Sequence, residues 1–166
     1  MATLKQKLTE QLKVDEGCEL QVYIDSVGEP TIGFGRCLTT KGLSKSECDY
    51  LKLGTYDKNA VIAKLEVRGI SQSEAECLLS SDIEYFHIEL DKALPYFERL
   101  PETAKLVLLN MSFNIGISGL LKFKNTLSLI EKGQYIAASK EMLNSNWRNQ
   151  VGQRAYRLSK MLESCQ

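Results

Sequence analysis

Three residues in one short N-terminal stretch carry groups that could act together on a glycosidic bond. In 14-VDEGCELQVYIDSVGEPTIGFGR-36, Glu16 and Asp25 lie nine residues apart and Thr31 follows six residues later. Cutting a glycosidic bond takes one carboxylic acid to protonate the leaving oxygen. A second carboxylate activates water or stabilises the developing positive charge. The two acids need unlike surroundings. An acid at the end of a buried helix is easily desolvated, which raises its pKa, whereas an acid on a solvated turn stays ionised. Glu16 and Asp25 suit those two roles, and the Thr31 hydroxyl could hold the attacking water. The same spacing also fits two surface carboxylates flanking a hairpin, so these residues alone leave both readings open.

The elements that would position these groups can be read from periodicity. Leu4, Leu8 and Leu12 recur at every fourth position, which predicts one apolar stripe on a helix, stopped by Gly17. Glu16 then falls in the last helical turn. Gln21–Ile24 is rich in strand formers, Asp25–Gly28 reads as a turn, and Thr31–Gly35 alternates with glycines inside the expected strand. The rest reads as helical. Ser44 with Glu47, and Ser71 with Glu74, have the spacing of capping boxes. Ala60–Leu65 fits a short helix, and the second box opens a long amphipathic run through Leu90. Pro101 suits the first turn of a helix whose body, Thr103–Phe113, is apolar nearly all round and therefore buried. Gly116 and Gly119 are expected to break it. Further helices are predicted over about 125–132, 134–143 and 152–162. Trp147 reads as a core residue rather than a sugar platform. His87, the lone histidine, lies mid-helix without an obvious partner and is given no catalytic role.

Length and composition narrow the field. A chain of 166 residues suits one domain, or two small lobes sharing a helix. With 43% hydrophobic residues there is enough apolar surface to expect an ordinary soluble globular fold rather than disorder. A formal net charge of zero gives no reason to expect a nucleic-acid partner. No apolar run approaches the roughly 20 residues needed to span a bilayer, and the N-terminus is too charged for a signal peptide. Membrane insertion and an export signal are therefore not expected. Five cysteines without a CxxC pair, beside one histidine, argue against a zinc or other metal site and for reduced thiols in a cytosol. No cofactor is expected.

Three ordered motifs then carry a resemblance. The first is 16-EGCELQVYID-25 followed by GEPTIGFG, which is similar to E-G-x-x-L-x-x-Y-x-D, a turn and T-x-G-x-G in the phage-type lysozyme family, the muramidase endolysins of glycoside hydrolase family 24. The second is 110-NMSFNIG-116, and the third is 144-NSNWRNQVGQRAYRL-158, similar to the family's R-W-x-N-Q-x-x-x-R-x-x-R. The resemblance implies an α+β, mostly α fold. A small β-containing N-terminal lobe (about 14–70) would be joined by a long helix (about 71–90) to a helical C-terminal lobe (about 91–166 plus 1–13), with the substrate cleft between them. It implies a lysozyme hydrolysing the β-1,4 bond between N-acetylmuramic acid and N-acetylglucosamine of peptidoglycan, with Glu16 as general acid and Asp25 with Thr31 handling water. It further implies Phe113 and Thr126 as substrate contacts and Arg154 as the cation paired with Glu16. The family role is an endolysin, here a monomer made in a host bacterial cytoplasm. It would reach the wall after a holin-type protein permeabilises the membrane.

The chain departs from the family at Arg36, which stands where the family has a histidine. Arginine keeps its charge at every pH and reaches further, so it is expected to preserve an ion pair with an acid. It is also expected to add a cation near Glu16. Two alternatives remain open on the sequence. One is a wall-binding protein that no longer cuts. The other is a lytic transglycosylase, which needs only one acid and releases an anhydro-sugar.

Overall fold

The computed structural model describes residues 1–165, which fall into two units, 9–82 and 1–8 with 83–165. The class is the mostly helical α+β one expected from the sequence. No single helix among the described residues is long and apolar enough to cross a membrane.

The 9–82 unit holds the sheet. It begins within helix α1 (Leu4–Glu16), whose stripe residue Leu12 is fully buried. Gly17, at φ 66°, ends the helix in the left-handed conformation that glycine adopts without a Cβ penalty. The chain then enters a three-stranded antiparallel sheet, β1 (Glu19–Ile24), β2 (Pro30–Gly33) and β3 (Arg36–Cys37), in the order β1-β2-β3. The register pairs Tyr23 with Thr31, Thr31 with Cys37 and Ile32 with Arg36. Because side chains alternate across a strand, Tyr23, Thr31 and Cys37 share one face while Ile32 and Arg36 share the other. The β2 strand is shorter than expected. It stops at Gly33, and Phe34–Gly35 form a turn rather than strand interior, so the glycines reverse the chain into a third strand.

Helices α2 (Lys45–Tyr50) and α3 (Lys58–Arg68) complete this unit with the first part of α4 (Gln72–Ala93). Both expected capping boxes form. Ser44 Oγ accepts from the Glu47 N–H while Glu47 accepts from the Ser44 N–H, and Ser71 and Glu74 do the same. Asp57 caps α3 through the Ala60 N–H.

The other unit is all helical: the end of α4, a 3-10 turn (Phe97–Arg99), and α5 (Glu102–Leu120), α6 (Lys124–Glu131), α7 (Tyr135–Leu143), α8 (Asn146–Val151) and α9 (Gln153–Glu163). As its apolar sequence predicted, α5 is the buried helix, packed against α9. Pro101 lies one position earlier than expected, as the residue before the first helical one. Gly116, at φ 74° and ψ 166°, breaks α5, but Gly119 stays helical and breaks nothing. The six-residue α8 went unseen because so short a helix shows less than two turns of periodicity. His87 does have a partner. Its Nε2 lies 2.7 Å from Glu98 Oε1, with the Lys105 ammonium 2.6 Å from Glu98 Oε2.

Candidate active site

The loop after β1 builds its geometry around Asp25. Gly28 N–H donates to the Asp25 carbonyl at 3.1 Å, closing the expected turn. The Asp25 carboxylate folds back over that turn. Its Oδ1 accepts the backbone N–H groups of Val27 and Glu29, both at 2.9 Å. Its Oδ2 lies 3.3 Å from Thr31 Oγ1, which is also 3.1 Å from the Glu29 carbonyl. The Glu29 N–H leads the causes that hold the Asp25 carboxyl below the usual range, with Val27, Thr31 and Gly28 adding to it against partial desolvation. Asp25 is thus a carboxylate at neutral pH, with one oxygen saturated by the backbone and the other turned toward a hydroxyl. Thr31 is buried in β2, so that hydroxyl is held rather than mobile.

Glu16 closes α1, where the last carbonyls carry the negative end of the helix dipole. One of its carboxylate oxygens is shielded from solvent. Tyr23, on the same face as Thr31, reports on both acids. Burial pushes its phenol up, and the charges of Asp25, Glu19 and Glu16 push it further. Residue-type reading took Tyr23 only as a strand former. Its pairing with Thr31 could have been found by writing out the hairpin register.

Arg36 sits on the opposite face of the sheet, 3% exposed, and all five guanidinium N–H groups have acceptors. Nε donates to Asp82 at 3.1 Å, Nη1 to the Gly42 carbonyl and Glu47, and Nη2 to Glu47 and the Leu78 carbonyl. Burial opposes its charge, but Glu47 and Asp82 outweigh burial and raise its pKa. The ion pair expected of Arg36 is therefore present, with two acids. The other expectation, a second cation near Glu16, meets a guanidinium already committed to Glu47 and Asp82. The charge is neutralised beneath the sheet, on the face away from Thr31.

The helical unit places the remaining candidates. Phe113 of α5 is half-buried, its ring centroid 5.3 Å from that of Phe86. Thr126 of α6 is buried and lines a pocket of about 210 Å³ with Lys122, Asn125, Glu141 and Asn144. Arg154 of α9 is buried and donates to both the side chain and the carbonyl of Asn110, at 2.9 and 3.1 Å. Trp147 is a core residue as expected, its Nε1 bonded to Asn114 Oδ1 at 2.8 Å. Among the described residues no group of three or more His, Cys, Asp or Glu is placed to hold a metal ion.

Comparison with known proteins identifies the family. The profile of the family described as "Phage lysozyme" matches residues 13–161. "Probable T4-type lysozyme 2" of Dictyostelium discoideum is 34% identical over 160 residues, covering 95% of this chain and 94% of that protein. "Probable T4-type lysozyme 1" of the same organism is 31% identical, again covering 95% of this chain and 94% of the other. The "Pre-baseplate central spike protein Gp5" of Enterobacteria phage T4 is 28% identical over 93% of this chain but only 27% of its own length. With the family profile spanning nearly the whole chain and two full-length relatives alongside it, the chain belongs to the phage lysozyme family, and cleavage of a glycosidic bond is the chemistry its site has to account for.

Proposed function

We propose that this protein hydrolyses the β-1,4 bond between N-acetylmuramic acid and N-acetylglucosamine in peptidoglycan, and so degrades bacterial cell wall. Glu16 is the general acid, and Asp25 with Thr31 positions and activates the water. The observation that carries the reading is the Asp25–Thr31 pair. One carboxylate oxygen is saturated by two backbone N–H groups, and the other lies 3.3 Å from a buried hydroxyl. A carboxylate oxygen free of the backbone can take a proton from water, and a hydroxyl beside it can hold that water in place. A general acid must hold its proton, and Glu16 has two features that favour this: the negative end of a helix dipole and partial shielding from solvent. A water-handling pair supports hydrolysis, with inversion, over a lytic transglycosylase, which has no use for one. Phe113 and Thr126 are the substrate contacts of this reading.

The test is clearance of outer-membrane-permeabilised Gram-negative cells and digestion of purified sacculi, comparing wild type with Glu16→Gln and Asp25→Asn. Hydrolysis adds the mass of one water to the products, and transglycosylation adds none. Wild-type digestion with water added, lost in both variants, is the expected result. Equal clearance by Glu16→Gln would sink the assignment of the acid. Binding of sacculi without digestion by wild type would leave a wall-binding protein instead.

A further inference from the structure

A hydroxyl has one proton to give, and Thr31 has two acceptors in reach. The nearer is the Glu29 carbonyl at 3.1 Å and the farther is Asp25 Oδ2 at 3.3 Å. The choice matters for the chemistry. If Thr31 donates to Asp25, the pair is satisfied internally and offers a water little. If it donates to the Glu29 carbonyl, the Thr31 oxygen and Asp25 Oδ2 are both left as acceptors.

Glu29 also touches the pair in two other ways. Its N–H donates to Asp25 Oδ1 at 2.9 Å, and its carbonyl accepts the Asp25 N–H at 3.0 Å. The peptide groups of this one residue therefore fix the Asp25 backbone, the Asp25 carboxylate and the Thr31 hydroxyl. The side chain ties those groups to the rest of the unit. Thr39 Oγ1 donates to Glu29 Oε2, and the Thr39 carbonyl is held by Lys58 Nζ at 2.6 Å, where Lys58 opens α3. Cys37 Sγ lies 3.2 Å from the same Thr39 hydroxyl.

We propose that Glu29 is a positioning residue for the attacking water: its carbonyl takes the Thr31 proton so that Thr31 and Asp25 both face the water as acceptors, and the Thr39 hydroxyl on its carboxylate holds that carbonyl in place. The inference rests on the water-handling role given to Asp25 and Thr31 above. In the reaction the water oxygen bonds to the anomeric carbon as the bond from that carbon to the bridging oxygen breaks. Glu16 gives its proton to that oxygen. One water proton passes to Asp25 Oδ2, and the other remains on the new sugar hydroxyl, bonded to Thr31.

The test compares five variants of the full chain on purified sacculi. Thr39→Val and Glu29→Ala remove the brace. Thr39→Ser and Glu29→Gln keep a donor and an acceptor at the same places. Asp25→Asn is the control. Removing the brace is expected to lower kcat about 10- to 100-fold, the scale set by small misplacements of reacting groups. KM and melting temperature should stay unchanged, and the two conservative variants should retain most of the activity. The acidic limb of the Glu29→Ala profile should also move upward, since alanine keeps the N–H that leads in holding the Asp25 carboxyl down but loses the brace that fixes its aim. Full kcat in Thr39→Val would overturn the inference. So would Glu29→Gln failing as badly as Glu29→Ala, which would make the charge the agent rather than the brace. An inactive Asp25→Asn beside fully active brace variants refutes only the Glu29 inference. An active Asp25→Asn refutes the site reading beneath it.

Discussion

Replacing Arg36 by methionine should destabilise the protein by about 3–5 kcal/mol at pH 7, the usual cost of leaving a buried charge without its partner. The structure sets the size of the effect. Arg36 is 3% exposed, and its loss strips two side-chain hydrogen bonds from Glu47 and at least one from Asp82. Both acids are themselves buried. Neither is left bare, since Glu47 keeps the Ser44 N–H at 2.8 Å and Asp82 keeps its ion pair with Lys41. A chain of this size loses about 2–4 °C of melting temperature per kcal/mol, so calorimetry should read a drop of about 6–20 °C.

The pH dependence separates this mechanism from a simple packing defect. In the wild type, burial pushes the Glu47 carboxyl up, but the hydrogen bonds and charge of Arg36 more than reverse it, and the group is held below its ordinary value. A carboxylate held down contributes stability that is complete above its unfolded value of about 4.3 and lost as pH falls through the folded value. Without Arg36 only the Ser44 N–H and the Ser81 hydroxyl oppose burial, the largest single cause, and the folded value rises above the unfolded one. Glu47 then costs stability at pH 7, and the cost shrinks as pH falls toward 5. Wild-type stability should be flat over that interval, while the variant gains. Adding Glu47→Gln and Asp82→Asn to Arg36→Met should recover part of the loss at pH 7. A drop under about 2 °C, or a loss equal at pH 5 and pH 7, would refute the view that Arg36 works by neutralising two buried acids.

Carbon-13 titration of the Asp25 carboxyl should give a midpoint below the ordinary value of about 3.9, because the Glu29 N–H and its companions hold the ionised form; a higher midpoint would remove Asp25 as a standing base. Cys37 should react first of the five thiols with a small alkylating reagent. Burial pushes its thiol up, but hydrogen bonding from Thr39 and Thr40, their backbone N–H groups included, outweighs it and lowers its pKa, whereas burial raises Cys18, Cys48, Cys77 and Cys165. Mass spectrometry of partially labelled protein checks this, and first labelling anywhere else contradicts it. Gly69→Ala should lower the melting temperature clearly more than Gly28→Ala. Both positions have positive φ, worth about 1–2 kcal/mol to an L-residue, but only at Gly69 would a Cβ meet backbone, the Leu20 carbonyl oxygen at 2.5 Å.

What the sequence made legible followed from residue type. A carboxylate at a helix end, a carboxylate on a turn and a hydroxyl on a strand are visible as Glu16, Asp25 and Thr31, because only those side chains carry the groups. Glu29 was not visible, because what it does for Asp25 and Thr31 is done by its N–H and carbonyl, which almost any residue supplies. The partner of His87 was hidden for a different reason. Glu98 lies eleven residues away across the 3-10 turn, and no local period connects them. Strand ends were misplaced where glycine decided them. Gly33 and Gly35 read as strand interior, but the pairing of β2 with β3 leaves Gly33 as the last residue of its strand and puts Gly35 in the turn.

The sheet explains why an arginine can stand where the family has a histidine. Strands of six, four and two residues make a sheet too small to be stable without strong support on one face. The pairing of β2 with β3 divides the work residue by residue: Thr31 opposite Cys37 on one face, Ile32 opposite Arg36 on the other. The second face is the anchored one, with Ile32 fully buried and Arg36 binding Glu47, Asp82 and two carbonyls. A substitution there is tested against those acceptors and not against the substrate. Arg36→His should consequently lose stability, since a neutral imidazole offers one donor where the guanidinium offers five. The position of the acidic limb of activity should stay with the Asp25 side of the sheet. An Arg36→His variant that kept its melting temperature but shifted its activity profile would reverse that division, and place position 36 with the chemistry instead of beneath it.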